Sequence, residues 1–290
     1  MNIRATAIVT AGLMLSSIAH ASGLMYATGS TDGGVQGLFK IDLNDGHATL
    51  IGTNPEGIVG LAFRSDGRLY AGGNGLYIVD PATGNILDEV GPDGMRSLAF
   101  NPLNDELVTL SADGSALYTV NPDTGEILNA VFVQSPIDRY AFPIRAITFL
   151  STGQLIGHVG GVVIALDPVT GVGTRIGAPG DGILGFGCAP LGYGASACSN
   201  DTLARDENDV LYSFSANPYP FLTSGAVGGS TATVIGPSTL TPPAIYITGI
   251  ATTVPAPGAL PLALTAVGAV AAWSRRRGAR GRTGLFPAAA

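Results

Sequence analysis

A short hairpin pattern recurs along the chain and constrains its fold more than any other feature. Each copy is a run of strand-forming residues followed by a five-residue turn that begins with Asp or Asn and ends with Gly. The first turn residue accepts hydrogen bonds from nearby amides, Pro in three of the copies presets φ, and Gly adopts the positive φ that closes the hairpin. Because these residues already have local backbone roles, we interpret the Asp and Thr side chains as turn residues and not as metal ligands. The four turns are Asp42–Gly46, Asp80–Gly84, Asn121–Gly125 and Asp167–Gly171.

The spacing of these turns predicts a β-propeller. Successive turns begin 38, 41 and 46 residues apart, and repeats of about 40–50 residues with several strands each are typical of propeller blades. Each repeat also carries an earlier strand pair, such as GLAF (60–63) followed by RLYA (68–71). We therefore predict an all-β fold, a propeller of about five four-stranded blades. Six blades is the alternative, because the pattern is weak between Ser215 and Gly229.

The two ends of the repeat region complement each other. The first repeat begins with LMYAT (24–28), which aligns with a second strand, and the strand that it lacks reappears at Tyr246–Ala251. We predict that Ile247–Ala251 completes the N-terminal blade and closes the ring, since closure removes exposed strand edges. The predicted blades are 247–251 with 24–52, then 58–91, 95–133, 144–177 and 202–236.

The N-terminal residues 1–21 have the pattern of a secretory signal peptide. Arg4 supplies the charge, an apolar run follows, and Ala19 and Ala21 place small residues at the recognition positions, so that signal peptidase is the expected partner. The propeller domain then covers 22–252.

The C-terminal tail has three parts. The first part, 253–258, is rich in Pro and contains Val254, Pro255, Ala256, Pro257 and Gly258. The second part, 259–274, is apolar and is the predicted transmembrane helix. The third part, 275–290, is a basic end that begins with Arg275, Arg276 and Arg277 and is predicted to be cytoplasmic. The helix is Ala-rich and only moderately hydrophobic, which favours transient anchoring. An ordinary anchor that is never removed is the alternative.

This tail resembles the PEP-CTERM sorting signal of exported proteins in Gram-negative bacteria that produce exopolysaccharide. The resemblance covers about 254–277, with Ala256 where the family has Glu. It implies recognition and cleavage by an exosortase-like sorting enzyme, then release from the inner membrane to the periplasm, cell surface or extracellular matrix. The hairpins themselves resemble those of YVTN and PQQ-like propellers.

Both cysteines of the chain, Cys188 and Cys198, lie in one predicted loop, 178–201. In an exported chain two nearby cysteines favour a disulfide, which would stabilise the fold by roughly 2.5–3 kcal/mol. A zinc site is the weaker interpretation, since no matched histidine pair accompanies them.

A second long connection, 134–143, holds a candidate binding rim. Long loops on a rigid scaffold are frequent binding sites, and the alternative is that these residues only cover the disc. The candidate rim residues are Asp138, Arg139, Tyr140, Phe142 and Arg145.

Composition and charge argue against nucleic acid and against familiar catalytic centres. Of the 14 Lys and Arg residues, one lies in the leader and five follow Ser274, which leaves eight in the body against 21 acidic residues, a net charge of −13. Nucleic-acid binding needs a basic stripe. No Ser-His-Asp set or transition-metal pattern is evident, so no catalytic residue, metal ligand or cofactor is predicted.

A cluster of acidic residues could bind Ca²⁺. We favour the alternative interpretation, in which these acids are solvated turn residues. They are Asp201, Asp206, Glu207 and Asp209.

Three functions follow from these observations. We favour an exported surface or matrix protein that binds a ligand such as exopolysaccharide. The second interpretation is a propeller hydrolase or lyase acting on polysaccharide or lactones, with acids gathered at the central channel. The third is a purely structural matrix component.

Overall fold

In the computed structural model, the described residues form twenty β-strands, which are paired into five antiparallel sheets of four strands each. The structure describes residues 24–31, 34–53, 57–134, 144–159, 162–176, 202–215, 221–227, 233–235 and 245–253. The five sheets are the blades of a β-propeller, which confirms the predicted fold class and a blade number of five. The predicted signal peptide, transmembrane helix and basic tail lie outside the described residues, within which no helix could span a membrane.

The strands of each blade follow one another outwards from the centre of the ring. Blade 1 contains β1 (Leu24–Thr31), β2 (Gln36–Asp42) and β3 (Ala48–Thr53), and blade 2 contains β4 (Gly60–Phe63), β5 (Leu69–Gly72), β6 (Leu76–Val79) and β7 (Ile86–Gly91). Blade 3 consists of β8 (Met95–Phe100), β9 (Leu107–Ser111), β10 (Ala116–Val120) and β11 (Ile127–Phe132). Blade 4 consists of β12 (Ala146–Phe149), β13 (Leu155–Val159), β14 (Val162–Leu166) and β15 (Gly173–Arg175). Blade 5 consists of β16 (Ala204–Arg205), β17 (Val210–Ser215), β18 (Phe221–Ala226) and β19 (Thr233–Ile235).

The last strand of the chain, β20 (Ile245–Thr252), is the innermost strand of blade 1 and pairs antiparallel with β1. In this register Ala251 lies opposite Tyr26, Ile250 opposite Ala27 and Gly249 opposite Thr28. The predicted pairing of Ile247–Ala251 with the N-terminal strand is therefore confirmed. The observed strand is longer than predicted, and a register shift lies between Thr28 and Gly29.

Five hydrophobic clusters form the core, one at each interface between adjacent blades. The inner strands are buried on both faces, as in β5, where all four residues are buried, whereas the outer strand β11 is largely exposed. This difference explains why inner strands are continuous apolar runs and outer strands are mixed. Blade 1, which holds both the first and the last described strands, shares with blade 5 a cluster that includes Met25, Phe39, Phe214 and Ile250.

The hairpin turns have the predicted chemistry. The Asp80 carboxylate accepts the Ala82 amide at 2.9 Å and the Thr83 hydroxyl at 2.7 Å, and these two bonds hold the pKa of Asp80 below its ordinary value. The terminal glycines have positive φ, 76° for Gly84 and 69° for Gly125. The interpretation of Asp and Thr as turn residues therefore agrees with the hydrogen bonds.

Turns also join neighbouring blades. Asp105 and Asp209, in the turns that follow the innermost strands of blades 3 and 5, have φ of 58° and 59° and are the only described non-glycine residues with positive φ. Each carboxylate accepts both the hydroxyl and the backbone amide of a serine in the preceding blade. The hydroxyl bonds, from Ser65 to Asp105 and from Ser151 to Asp209, are both 2.6 Å long. These matched contacts fix the inner turns of blades 2 and 3, and of blades 4 and 5, relative to each other.

The glycine of a turn can also be required by a neighbouring blade, and Gly125 allows a test. A Cβ added at Gly125 would lie 1.9 Å from the carbonyl oxygen of Val90 in blade 2, whereas a Cβ at Gly67, also at positive φ, would meet nothing within 4 Å. We expect Gly67→Ala to lower the free energy of unfolding by about 1–2 kcal/mol through backbone strain alone. Gly125→Ala should cost roughly 1–3 kcal/mol more, because blade 2 must move away. Denaturant unfolding of both variants measures this difference, and equal losses would contradict the inter-blade contact.

Candidate functional site

A cavity of about 90 Å³ lies where the five innermost strands end around the ring axis. We call this cavity the mouth, and the side of the disc on which it lies the mouth face. The turns that follow β4, β8, β12 and β16 surround it, because all of the innermost strands run in the same direction. The mouth therefore combines residues from every blade.

One position of the repeat contributes to the mouth in each blade. The last residue of the innermost strand is Phe in blades 2, 3 and 4, where it lies opposite a leucine of the second strand. The same position is Arg in blade 5, opposite Leu211, and Thr in blade 1, opposite Met25. The five mouth residues are Phe63, Phe100, Phe149, Arg205 and Thr252.

The aromatic members of this set are held by the blades that precede them. The Phe63 ring packs edge-on against Tyr26 of blade 1, with ring centroids 5.2 Å apart, and Phe100 packs in the same way against Tyr70 of blade 2 at 5.0 Å. Phe149 is almost fully buried. This part of the mouth is therefore apolar and packed against neighbouring blades.

Arg205 gives the mouth a buried positive charge, since its side chain is only 7% exposed. Its Nε donates to the carbonyl of Phe149, and its Nη1 donates to the carbonyl of Asp206 and lies 3.2 Å from the Asp209 carboxylate. Burial lowers the pKa of Arg205, while the charges of Asp209 and Asp206 oppose that shift. Among the described residues, no atom forms a hydrogen bond with Nη2.

Two contacts hold Arg205 between blades. Asp209, which pairs with its guanidinium, is itself bonded to Ser151 of blade 4. On the other side, the Thr252 hydroxyl donates to the Arg205 carbonyl. The arginine is therefore positioned by blade 4 and by the closing strand.

A second arginine, Arg64, lies on the opposite side of the mouth and is 17% exposed. Its Nη1 is 3.0 Å from Asp123, a turn residue of blade 3, and its Nε is 3.8 Å from both Asp66 and Asp105. Arg68 shares Asp123 at 3.1 Å. Burial alone would raise the pKa of Asp123, but hydrogen bonds from Arg68 and the charge of Arg64 outweigh burial, so the pKa lies below its ordinary value. This carboxylate stays ionised and holds Arg64.

The charged groups among the described lining residues of the mouth are two arginines and one aspartate. Asp105 is the one carboxylate among its described lining residues, none of which is histidine. Both oxygens of Asp105 already accept hydrogen bonds from Ser65. Guanidinium groups, hydroxyl groups and aromatic rings can hold a polar or anionic ligand, whereas acid–base hydrolysis uses a second carboxylate or a histidine.

Two of the acids suggested as Ca²⁺ ligands, Asp206 and Asp209, have protein partners, whereas Glu207 is exposed. Asp206 accepts the Asn208 and Val210 amides and the hydroxyl of Tyr212, whose pKa is raised to about 12 by burial together with Asp206. Asp209 binds Ser151 and Arg205, and Asp201 lies outside the described residues. No three His, Cys, Asp or Glu side chains in the described part of the chain are grouped to hold a metal ion.

Most of the site residues predicted from the sequence lie outside the described residues. They are Asp138, Arg139, Tyr140, Phe142, Cys188, Cys198, Ala19, Ala21, and the tail residues Val254, Pro255, Ala256, Pro257, Gly258, Arg275, Arg276 and Arg277. Arg145 is described, and it precedes β12 on the side of the disc opposite to the mouth. Of the predicted rim residues, Arg145 is therefore not part of the mouth.

Sequence reasoning missed Arg64, Asp105 and Arg205 as site residues. A signal for Arg205 exists, because TLAR (202–205) aligns with GLAF (60–63) and places Arg where the repeat has Phe. A charged residue at a repeat position that is phenylalanine in three other blades is the signal that could have identified this site residue.

Comparisons with known proteins show similarity of fold. No family model matches the chain, and no curated protein matches it. The structure is similar to a protein of unknown function from Bacteroides caccae, at 12% identity over 80% of this chain and 99% of that one, with a TM-score of 0.49. It is also similar to a chain of a nidogen/laminin complex, at 12% identity over 80% and 98% and a TM-score of 0.46. An auxiliary nutrient binding protein from Bacteroides ovatus is matched at 13% identity and a TM-score of 0.43, over 69% of this chain and about half, 52%, of that one. At these scores the likenesses carry no functional argument, and the propeller assignment depends on the strand pairing.

Proposed function

We propose that the chain is an exported, envelope-associated propeller that binds an anionic ligand at its mouth, with acidic exopolysaccharide as the favoured ligand class. The tail pattern at 254–277 supports export and sorting by an exosortase-like enzyme. The mouth supports binding, since its described lining has arginines and aromatic rings but a single carboxylate, whose two oxygens both accept hydrogen bonds from Ser65.

One observation carries the choice of an anionic ligand, namely the arginine at a position where three other blades have phenylalanine. Burying a guanidinium has a desolvation cost, and a well-packed apolar side chain in place of a buried ion pair is often neutral or stabilising. The repeat itself offers that apolar side chain in Phe63, Phe100 and Phe149. A role for Arg205 in recognising carboxylate, to which its planar guanidinium is well matched, accounts for the departure.

The hydrolase or lyase interpretation has less support. It requires several carboxylates or histidines at the channel, and the described mouth residues include Asp105 alone. A purely structural role predicts no ligand at the mouth, so binding measurements separate it from the proposal.

We expect Arg205→Phe to leave the fold intact and to weaken binding of an oligosaccharide of uronic acids about tenfold to hundredfold, the effect of losing one charge-assisted hydrogen-bonded contact. Titration calorimetry measures the affinity, and the carboxyl-reduced, neutral form of the same oligosaccharide is the second probe. Arg205→Gln should weaken binding of the same oligosaccharide to a similar extent.

Arg175→Gln is the matched control, because it removes the same charge from an outer strand that does not line the mouth. Its affinity should equal that of the unsubstituted chain. Unchanged affinity of Arg205→Phe, or equal binding of the neutral oligosaccharide, would exclude carboxylate recognition by Arg205.

The sorting proposal has its own test in the producing cell. We expect mass spectrometry to find released protein that ends within 254–258, and we expect replacement of Arg275, Arg276 and Arg277 by Gln to reduce membrane retention and release, because flanking arginines fix the orientation of an apolar segment. Replacement of Arg280 and Arg282, which lie farther from the apolar run, should have the smaller effect. Released protein that still carries Arg275–Arg277 would contradict cleavage.

A further inference from the structure

The chain leaves the propeller at the mouth. Ile250, Ala251 and Thr252, at the end of β20, line the cavity, and Thr253 is exposed beside them. The Pro-rich segment of the tail begins one residue later, at Val254. The predicted anchor is therefore joined to the disc near the ring axis and not at its outer edge.

The position of this exit is fixed by both neighbouring blades. The hydroxyl of Thr248 donates to the Ile58 carbonyl of blade 2 at 3.1 Å, and a Cβ added at Gly249 would lie 2.9 Å from the Cα of Gly60. On the other side, Thr252 donates to the Arg205 carbonyl of blade 5. Because β20 is paired along its length and held from two sides, the last described residues cannot swing away from the mouth without opening the ring.

The tether between the exit and the anchor is short. Residues 254–258 separate Thr253 from the apolar run that begins at Ala259. A fully extended chain spans at most about 3.6 Å per residue, so the tether reaches roughly 20 Å. A body attached near its axis by so short a tether has to present the attached face to the surface that holds the anchor.

We propose that the mouth face lies against the lipid bilayer for as long as the tail is attached, so that a polymeric ligand reaches the mouth only after the tail has been removed. This inference rests on the proposed function, since it takes the anchor and the mouth site from it. The turns around the mouth are polar, with Asp66, Thr152 and Glu207 exposed, which suits a hydrated headgroup surface and not insertion into hydrocarbon. Cleavage at Pro255–Pro257 would leave β20 complete, so the ring survives its release.

The test compares two cysteine reporters on opposite sides of the disc in membranes that carry the full chain. Thr152→Cys lies in an exposed turn on the mouth face, and Ala112→Cys lies in an exposed turn on the opposite face. With a maleimide on a long poly(ethylene glycol) chain, we expect Ala112→Cys to react about tenfold faster than Thr152→Cys. The two rates should become similar after solubilisation in detergent, and the unsubstituted chain gives the background from Cys188 and Cys198.

Lengthening the tether tests whether the slower reaction of Thr152→Cys is caused by the nearby membrane or by the local environment of the cysteine. An insertion of about 20 Gly and Ser residues between Thr253 and Val254 adds a flexible spacer with a root-mean-square length of roughly 25 Å. It should raise the rate at Thr152→Cys severalfold and leave the rate at Ala112→Cys unchanged. Equal rates for the two reporters in the original membranes, or no response to the spacer, would overturn the inference. Sedimentation of the membranes tests the anchor independently, and a chain absent from them would overturn the proposed anchoring itself.

Discussion

The pairing of β20 with β1 is the interaction on which the rest of the structure depends. It joins residues about 220 positions apart, as in the 3.4 Å contact between the hydroxyls of Thr28 and Thr248. Closing so long a loop has an entropic cost that local hairpins avoid. Without this pairing, blade 1 would lack its innermost strand and the cluster shared by blades 1 and 5 would lose Ile247 and Ile250. The other four blades are local in sequence, but the ring that they form is not.

The blades could be predicted from the sequence because their determinants are local. An Asp that accepts amides two residues ahead and a Gly at positive φ specify a hairpin wherever they occur, and Asp80 and Gly84 do so here. The closing strand was predictable because the incomplete first repeat left a gap that only Tyr246–Ala251 resembles. Blade 5 was less predictable, since β18 (Phe221–Ala226) has small and polar residues and no Asp-Pro turn after it. Its place in the sheet comes from pairing with β17, which a linear pattern does not express.

The mouth could not be predicted in the same way, because its members come from all five blades and meet only around the axis. Arg64 and Arg205 are 141 positions apart in the sequence, and neither forms part of a recognisable motif. The candidate rim was predicted from loop length, and Arg145, the one rim residue that the structure describes, lies on the side of the disc opposite to the mouth. What the repeat does offer is a comparison of equivalent positions. This comparison identifies Arg205 as the residue that stands in blade 5 where three other blades have Phe, and the ring geometry places Arg205 at the mouth.

The closing strand and the mouth meet at a few residues. Thr252 ends the closing strand, donates to the Arg205 carbonyl and lines the mouth. A displacement of β20 would therefore expose the edge of β1 and move the backbone that carries Arg205 at the same time. Arg205 in turn is tied through Asp209 to Ser151 of blade 4, so the charge in the mouth is held by three consecutive blades. The geometry of the mouth therefore depends on a closed ring, because Thr252 of the closing strand is bonded to the backbone of Arg205.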